Sequence, residues 1–488
     1  MATVRRDSVT TATPRLLRRD EVENLSLAEV TRLFKAHVNP GQYHFLKLLG
    51  FHEVLLARAE GLHYIDRQGR MILDFFGGFG SVAFGHNHPR LVEARRRYEA
   101  EQRQQIAMAF MSPYASALAH NLAAIAPGDL DMVFLASTGS EAVEYALKLA
   151  EAVQGPERRR IAHAQFAFHG KSRGALSVTD SAFYRSDFAL LDNTVKVPFG
   201  DAGALEQALA SDPQIGAVIL ETIQGGGGIN KAADGYWRDV RRICDRHGVL
   251  WIADEVQCGY GRTGRFFAFE HEGVVPDIVT LAKSLGGGIA ALGATISRTP
   301  LFTKAYGKPK TALVHAPATF GGIGNSCAVA IEALNLLHDE DLIGNAARQG
   351  GYLLERLEAL RVKYPSLIKE VRGQGLMVGL ELHDISQTLP FAVRHLVALV
   401  DDKLKGSLCG FLGCLLLRDY AILVAFTEYN RNVIRLEPPL IVTREAIDRF
   451  VDSLDDLLSR GVARIVSDYV RYAMGQRLGR GEPSPATA

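Results

Sequence analysis

What this chain lacks narrows it first. Its 488 residues include only five cysteines, Cys244, Cys258, Cys327, Cys409 and Cys414. The number is odd and no spacing suggests paired metal ligands. Neither a disulfide framework nor a zinc site is expected, and a reducing cytoplasm fits best. Neither sign of charge is in excess: 55 basic and 54 acidic side chains leave a net charge of +1. That balance gives no electrostatic reason to expect nucleic acid or an anionic membrane as partner. The first thirty residues carry repeated Arg, Asp and Glu and lack the apolar core of a secretory signal. Arg5, Arg6, Arg15, Arg18 and Arg19 among Ser and Thr leave two readings, an organelle transit peptide or a flexible surface tail. The most apolar stretch, 414–426, is broken by Arg418 and Asp419 and falls short of the roughly 18 apolar residues a bilayer span needs. There is no Rossmann glycine fingerprint and no Walker loop. The run Gly225 to Gly228 lacks the lysine and serine of a phosphate-binding loop, which counts against dinucleotides and nucleoside triphosphates.

What is present is an ordinary globular composition, 47% apolar and 22% charged, sufficient for a sizeable core. No fixed-period repeat appears. The length suits one large and one small domain. The expected division is an N-terminal segment over 1–80 packing with the small domain, a large domain over 81–335, a small C-terminal domain over 336–475, and a tail over 476–488. Residues 1–45 are polar and helical in part. Alternation around Asp66-Arg67-Gln68-Gly69 predicts a β-hairpin, and Phe75-Phe76-Gly77-Gly78-Phe79-Gly80 reads as a loop. Between 115 and 330, apolar runs at 132–136, 161–166, 217–221, 249–253 and 278–281 alternate with amphipathic stretches at 140–153, 202–210 and 235–247. That order predicts an α/β fold with a largely parallel sheet covered by helices on both faces. A helical pattern follows at 330–362. Strands at 370–382 and 430–442 and a helix at 443–460 predict a smaller α+β domain. The Leu-rich segment 385–425, with Gly406, Gly410 and Gly413, reads as an insertion loop or as a partner or substrate surface.

Three segments carry chemistry. Val249 to Ala253 form an apolar strand ending in Asp254 and Glu255. Ligands of open α/β sheets lie at the carboxyl ends of strands, where an acid can face a ligand nitrogen; a helix N-cap is the structural alternative. Ile278 to Ala282 form a second strand, ending in Lys283 and Ser284-Leu285-Gly286-Gly287-Gly288. A desolvated lysine there becomes a neutral nucleophile suited to Schiff-base chemistry, whereas a lone lysine is more often solvated. Two ionisable strand ends together suggest one site. In Leu135-Ala136-Ser137-Thr138-Gly139-Ser140-Glu141, a strand enters a helix through small polar residues, an anion site if not a simple cap.

With FGGFG, STGSEAVEYALKLA, FHGKSRGALS, IADEVQCGYGRTGR, PDIVTLAKSLGGG, TFGG and RLEPPL in this order, the chain resembles the class III (ω-) aminotransferases of the fold-type I pyridoxal-5′-phosphate (PLP) enzymes, over about residues 60–460. Within them it is most similar to putrescine aminotransferases. The resemblance implies transfer of an amino group between a terminal amine, a diamine or ω-amino compound, and an aldehyde or 2-oxo acid. It implies Lys283 as the Schiff-base lysine and Asp254 as the partner of the pyridine nitrogen. Gln257 would bond the phenolic oxygen, and Phe168 would stack on the ring with His169 beside it. Gly139 and Ser140 would hold the phosphate, and Thr319 would reach the phosphate of the neighbouring subunit of a homodimer. Arg435 would grip a substrate carboxylate. In one departure, Gly226 stands where many relatives carry a glutamate that, in some, covers this arginine when an amine lacking the carboxylate binds, so Arg435 is expected either to stay uncovered or to serve a different substrate; in another, Thr222 replaces a proline. A racemase, aminomutase or decarboxylase of the same fold would share these motifs. A non-catalytic paralogue would have no physical need for Lys283 and Asp254.

Overall fold

The computed structural model describes residues 15–315, 318–384 and 408–477. It forms two compact units, one ending at Leu55 and the other beginning at Leu56. In the first, Ser26 caps the helix Leu27–His37 through a reciprocal box with Glu29, and Asn39 caps Pro40–Leu48, where Pro40 fills a position needing no backbone donor.

The second unit is built on a seven-stranded sheet. Its order is Leu130–Ala136, Gly293–Arg298, Ile278–Leu281, Leu250–Asp254, Ile215–Glu221, Arg160–Ala164 and Thr194–Val197. All run in one direction except Gly293–Arg298, which is antiparallel to both neighbours. Alternate side chains supply two separate cores. Ile219, Ile252 and Ile278 pack under the helix Gly139–Gln154 with Val143 and Leu149. Val218, Leu220, Trp251, Ala253 and Val279 face the other way, toward the helix Tyr236–His247, where Trp237 stacks on Trp251 at 5.6 Å. A sheet buried on both faces explains the uninterrupted apolar runs. The five expected strands and three expected helices are all present, with no end displaced by more than two residues. Two strands were not anticipated: the short edge Thr194–Val197 and the antiparallel Gly293–Arg298.

The helical pattern at 330–362 is two helices, Gly324–Asp339 and Leu342–Lys363, broken where Asp341 adopts φ 48°. The stretch 370–382 is a hairpin, Ile368–Gln374 with Met377–Leu382, turning at Gly375 with φ 54°. Val433–Leu436 and Ala425–Phe426 complete that antiparallel sheet, and Thr443 caps the helix Arg444–Ser459. A further sheet contains the expected hairpin, His63–Asp66 with Met71–Asp74, and Ile422–Leu423 lies parallel to its second strand. The insertion-loop expectation fails at its described end. Leu408–Tyr420 is a helix whose residues from Leu408 to Leu417 are all buried, because its leucines pack into the main core. Residues 385–407 and 478–488, including most of the expected tail, lie outside the described residues, as do residues 1–14 with Arg5 and Arg6. Among the described residues no helix is long and apolar enough to cross a membrane.

Candidate active site

Strands that run the same way bring their carboxyl ends to one edge. A cavity of about 570 Å³ lies there, bordered by Ser137 to Ser140, Phe168 to Gly170, Glu221, Asp254, Gln257 and Lys283. Asp254 is the last residue of Leu250–Asp254, and pleating sends it and Glu255 to different surroundings. Asp254 lines the cavity and is 3% exposed. Its Oδ2 lies 2.6 Å from His169 Nδ1, and its Oδ1 accepts from the Val256 N–H at 3.0 Å and the Thr280 hydroxyl at 3.1 Å. Glu255 turns away to accept from the N–H groups of Ala268 and Phe269 and from the Thr222 hydroxyl. Burial pushes its carboxyl up to about 7, against the pull of those donors. The Thr222 departure therefore supplies a hydroxyl to a buried acid beside the site.

Phe168 is held by Glu221, whose Oε1 accepts the Phe168 N–H at 2.9 Å and whose Oε2 accepts the Gly225 N–H at 3.1 Å. Burial raises the Glu221 carboxyl to about 7; His169 opposes the rise and Asp254 adds to it.

Lys283 follows the strand Ile278–Leu281 and adopts φ 47°, a left-handed conformation that a non-glycine residue enters at a cost. Burial lowers its amine from 10.5 to about 8; the Glu437 carboxylate is the strongest charge opposing the shift, and Arg435 reinforces it. At the far end of the cavity the helix Gly139–Gln154 begins, with Thr138 Oγ1 accepting the Glu141 N–H at 3.1 Å. Gly170 lies against Ser140 at φ 132°, and a Cβ there would sit 2.4 Å from Ser140 Oγ. The donor set matches PLP. A helix N-terminus with a hydroxyl suits a phosphate, a buried acid suits a protonated ring nitrogen, and a lowered lysine suits imine formation. His169 Nε2 is buried without a hydrogen-bond partner.

Gly139, Ser140, Phe168, His169, Asp254, Gln257 and Lys283 thus converge. Thr319 does not border this cavity and is exposed, as is Phe320 beside it. Gln257 borders the cavity, but its Nε2 donates to both oxygens of Glu437 at 2.8 Å. Arg435 is 5% exposed, and burial lowers its pKa. The expectation that Gly226 leaves Arg435 uncovered is corrected. Glu437 Oε2 stands 3.4 Å from Arg435 Nε, and the Phe79 ring covers the guanidinium at 4.4 Å. Nor does Gly226 offer free space, since a Cβ would meet Phe168 Cβ at 3.3 Å and Tyr429 Cε2 at 3.5 Å.

Sequence reasoning missed Glu221, Phe79 and Glu437. Glu221 ends an apolar strand as Asp254 does, a signal available in the sequence. Glu437 lies two residues after Arg435 on the same side of an extended chain, also a readable pattern. The contact of Phe79 with Arg435 joins residues 356 positions apart, and no local pattern carries it.

The family model described as aminotransferase class-III matches residues 50–458. Solved structures with the same fold include the ornithine aminotransferase of Toxoplasma gondii, 28% identical with a TM-score of 0.76, covering 91% of this chain and 98% of that one. A thermostable (S)-enantioselective omega-transaminase of Thermomicrobium roseum is 29% identical with a TM-score of 0.75, covering 91% and 99%. An amine transaminase from an uncultivated Pseudomonas species, solved with PLP bound, is 30% identical with a TM-score of 0.71, covering 83% and 95%.

Proposed function

Since the chain belongs to the class III aminotransferases and is a PLP-dependent enzyme of fold type I acting on small amine and carbonyl substrates, we propose that its amino donor is a terminal amine, a diamine or ω-amino compound, and its acceptor an aldehyde or 2-oxo acid. The observation carrying this reading is the apolar part of the cavity lining. Ile223, Ile289, Ala290, Ala291 and Leu292 border the cavity with Lys283 and suit a methylene chain. Arg435 and Glu437 do not border it, but their charges of opposite sign both act on Lys283.

Bound PLP supplies an electron sink for the donor carbon. The chain's own residues do the rest. Lys283 Nζ, neutral above about pH 8, holds the cofactor and then moves the donor carbon's proton. Asp254, oriented by His169, Val256 and Thr280, keeps the ring nitrogen protonated. Phe168, fixed by Glu221, packs on the ring. Gly139 and Ser140 would take the phosphate and Arg435 a carboxylate of the acceptor in a bidentate grip; Gln257 would reach the phenolic oxygen by turning its amide from Glu437.

The large and small domains are taken to be 81–335 and 336–475. A homodimer in which Thr319 reaches the other subunit's phosphate is supported by the exposure of Thr319 and of apolar neighbours such as Leu313, 85% exposed, with Met111, 93% exposed, elsewhere on the surface. Five buried cysteines, none of them in a disulfide, fit a cytoplasmic setting. A panel of diamines, ω-amino acids and α-amino acids, followed by the absorbance change of the donor half-reaction, tests the substrate class. Putrescine belongs in that panel. Turnover confined to α-amino donors would refute the reading.

A further inference from the structure

Glu428 follows the short strand Ala425–Phe426 and stands next to the cavity lining without joining it. Its N–H donates to the Gly226 carbonyl at 3.2 Å. A Cβ on Gly226 would in turn stand 3.3 Å from Phe168, which borders the cavity. The carboxylate is half-buried and differs from the other acids near the cavity in how it is held. Glu221, Asp254, Glu255 and Glu437 each accept from at least one N–H group. Glu428 is held by hydroxyls: Ser181 donates to its Oε1 at a long 3.4 Å, and Tyr184 bonds the same carboxylate. Lys171 and Arg435 act on it only through their charge. Burial raises the carboxyl, against the Tyr184 hydroxyl, the Lys171 ammonium, the Ser181 hydroxyl and the Arg435 guanidinium.

The same corner already seats a cation. Lys171 Nζ lies 4.2 Å from the centre of the Tyr184 ring, and that ring lies 6.0 Å from Phe168. An ammonium over an aromatic face is held by the ring's quadrupole. Lys171 is exposed, and its flexible stem lets its own ammonium return to water when another arrives. An alkylammonium has three donors and no acceptor, so it can take the open lone pairs of Glu428 while the two hydroxyls keep theirs. Pairing offsets the cost of a carboxylate drawn partly out of water.

We propose that Glu428 is a specificity-determining residue: its carboxylate, with the hydroxyl and ring of Tyr184, receives the distal ammonium of a diamine donor whose other amine reacts at Lys283. This deepens the reading of the donor as a terminal amine and rests on it. Ile223 and Ile289 to Leu292, which border the cavity with Lys283, would take the methylenes between the two ends.

The test compares α,ω-diamines, from 1,4-diaminobutane to 1,8-diaminooctane, with monoamines of equal length as donors to the holoenzyme. Saturation of the half-reaction's absorbance change gives an apparent dissociation constant for each. The readout is the preference for the diamine, taken as the ratio of the two constants at the chain length the wild type binds best. Glu428→Gln keeps the size and can keep both hydroxyl contacts, but removes the charge. It is expected to lower that preference about tenfold, roughly 1.4 kcal/mol. A purely structural role would weaken both amines together, and a preference that does not change overturns the proposal. So does a wild type that binds the monoamine as tightly as the diamine. If Glu428→Gln does not fold, Tyr184→Phe, which keeps the ring and removes the hydroxyl, must lower the preference by a smaller factor, and an unchanged preference overturns it equally. If neither amine changes the absorbance while α-amino acids do, the reading under Proposed function falls and this one with it. If both amines react and Glu428→Gln leaves their ratio as it was, only the role given to Glu428 falls.

Discussion

Replacing Lys283 by methionine should stabilise the cofactor-free protein. Methionine keeps most of the apolar stem and removes the amine. In the folded chain that amine titrates at about 8 instead of 10.5, chiefly because burial disfavours its charged form. Below pH 8 both folded and unfolded chains carry the proton, and the folded state bears the whole cost of the buried ammonium. The difference of about 2.5 pH units corresponds to about 3 kcal/mol. Between the two values the unfolded chain binds more protons than the folded one, so the wild type gains stability from this group as pH rises and the cost disappears above 10.5. The methionine variant should therefore be more stable by about 3 kcal/mol at pH 7, about 2 at pH 9 and under about 1 at pH 10. Urea unfolding of both apoproteins across that range measures the difference, in which titrating groups not coupled to Lys283 cancel. A variant less stable than wild type at pH 7, or a difference that does not change between pH 7 and 10, would refute the burial argument. The gain in stability would accompany complete loss of turnover, as expected where a strained, desolvated group is kept for chemistry.

Asp254→Asn should lower kcat by hundreds-fold or more, about 3–5 kcal/mol of barrier, because a neutral ring nitrogen is a poor electron sink; steady-state kinetics within about tenfold of wild type would place Asp254 elsewhere. Gly170→Ala puts a methyl 2.4 Å from Ser140 Oγ at a backbone φ of 132°, and fluorescence titration of the apoprotein with PLP should show affinity lower by tenfold or more, at about 1–3 kcal/mol. Light scattering should give at least twice the chain mass of 53.3 kDa, and Thr319→Ala should weaken PLP binding without changing that mass; a monomer that binds PLP tightly would contradict the shared phosphate site.

Much of the catalytic edge could be read from the chain because its logic is local. A parallel strand buried on both faces is an apolar run, and an ionisable residue ending such a run, as Asp254 and Lys283 do, has few reasons to be there. The sheet strand Gly293–Arg298 was hidden because it follows the glycine-rich stretch after Lys283 and, in GATISR, carries both polar and apolar residues although five of its six positions are buried. The break at Asp341 was missed because apolar periodicity continues across it; one left-handed residue reorients the second helix without disturbing the pattern. Leu408–Tyr420 was misread because a helix buried all round has no polar face to give it a period. The substrate end was the least legible. Its residues come from the turn at Gly77, the strand end at Gln257 and the strand at Arg435, and only tertiary structure brings them together.

The crowding around the four-glycine run has a consequence for anyone wishing to redesign this enzyme. A Cβ on Gly225 would fall 2.0 Å from Gln257 Oε1, and one on Gly226 would stand 3.3 Å from Phe168 Cβ and 3.5 Å from Tyr429 Cε2. A side chain at 225 therefore requires the Gln257 amide to swing away, and one at 226 requires Phe168 to yield by a few tenths of an ångström. Grafting a glutamate onto position 226 alone would shift an aromatic side chain of the PLP pocket as well as alter substrate preference. Gly225 with Gln257, and Gly226 with Phe168 and Tyr429, form two epistatic sets. Libraries that randomise each set together should recover functional combinations that stepwise mutation cannot reach.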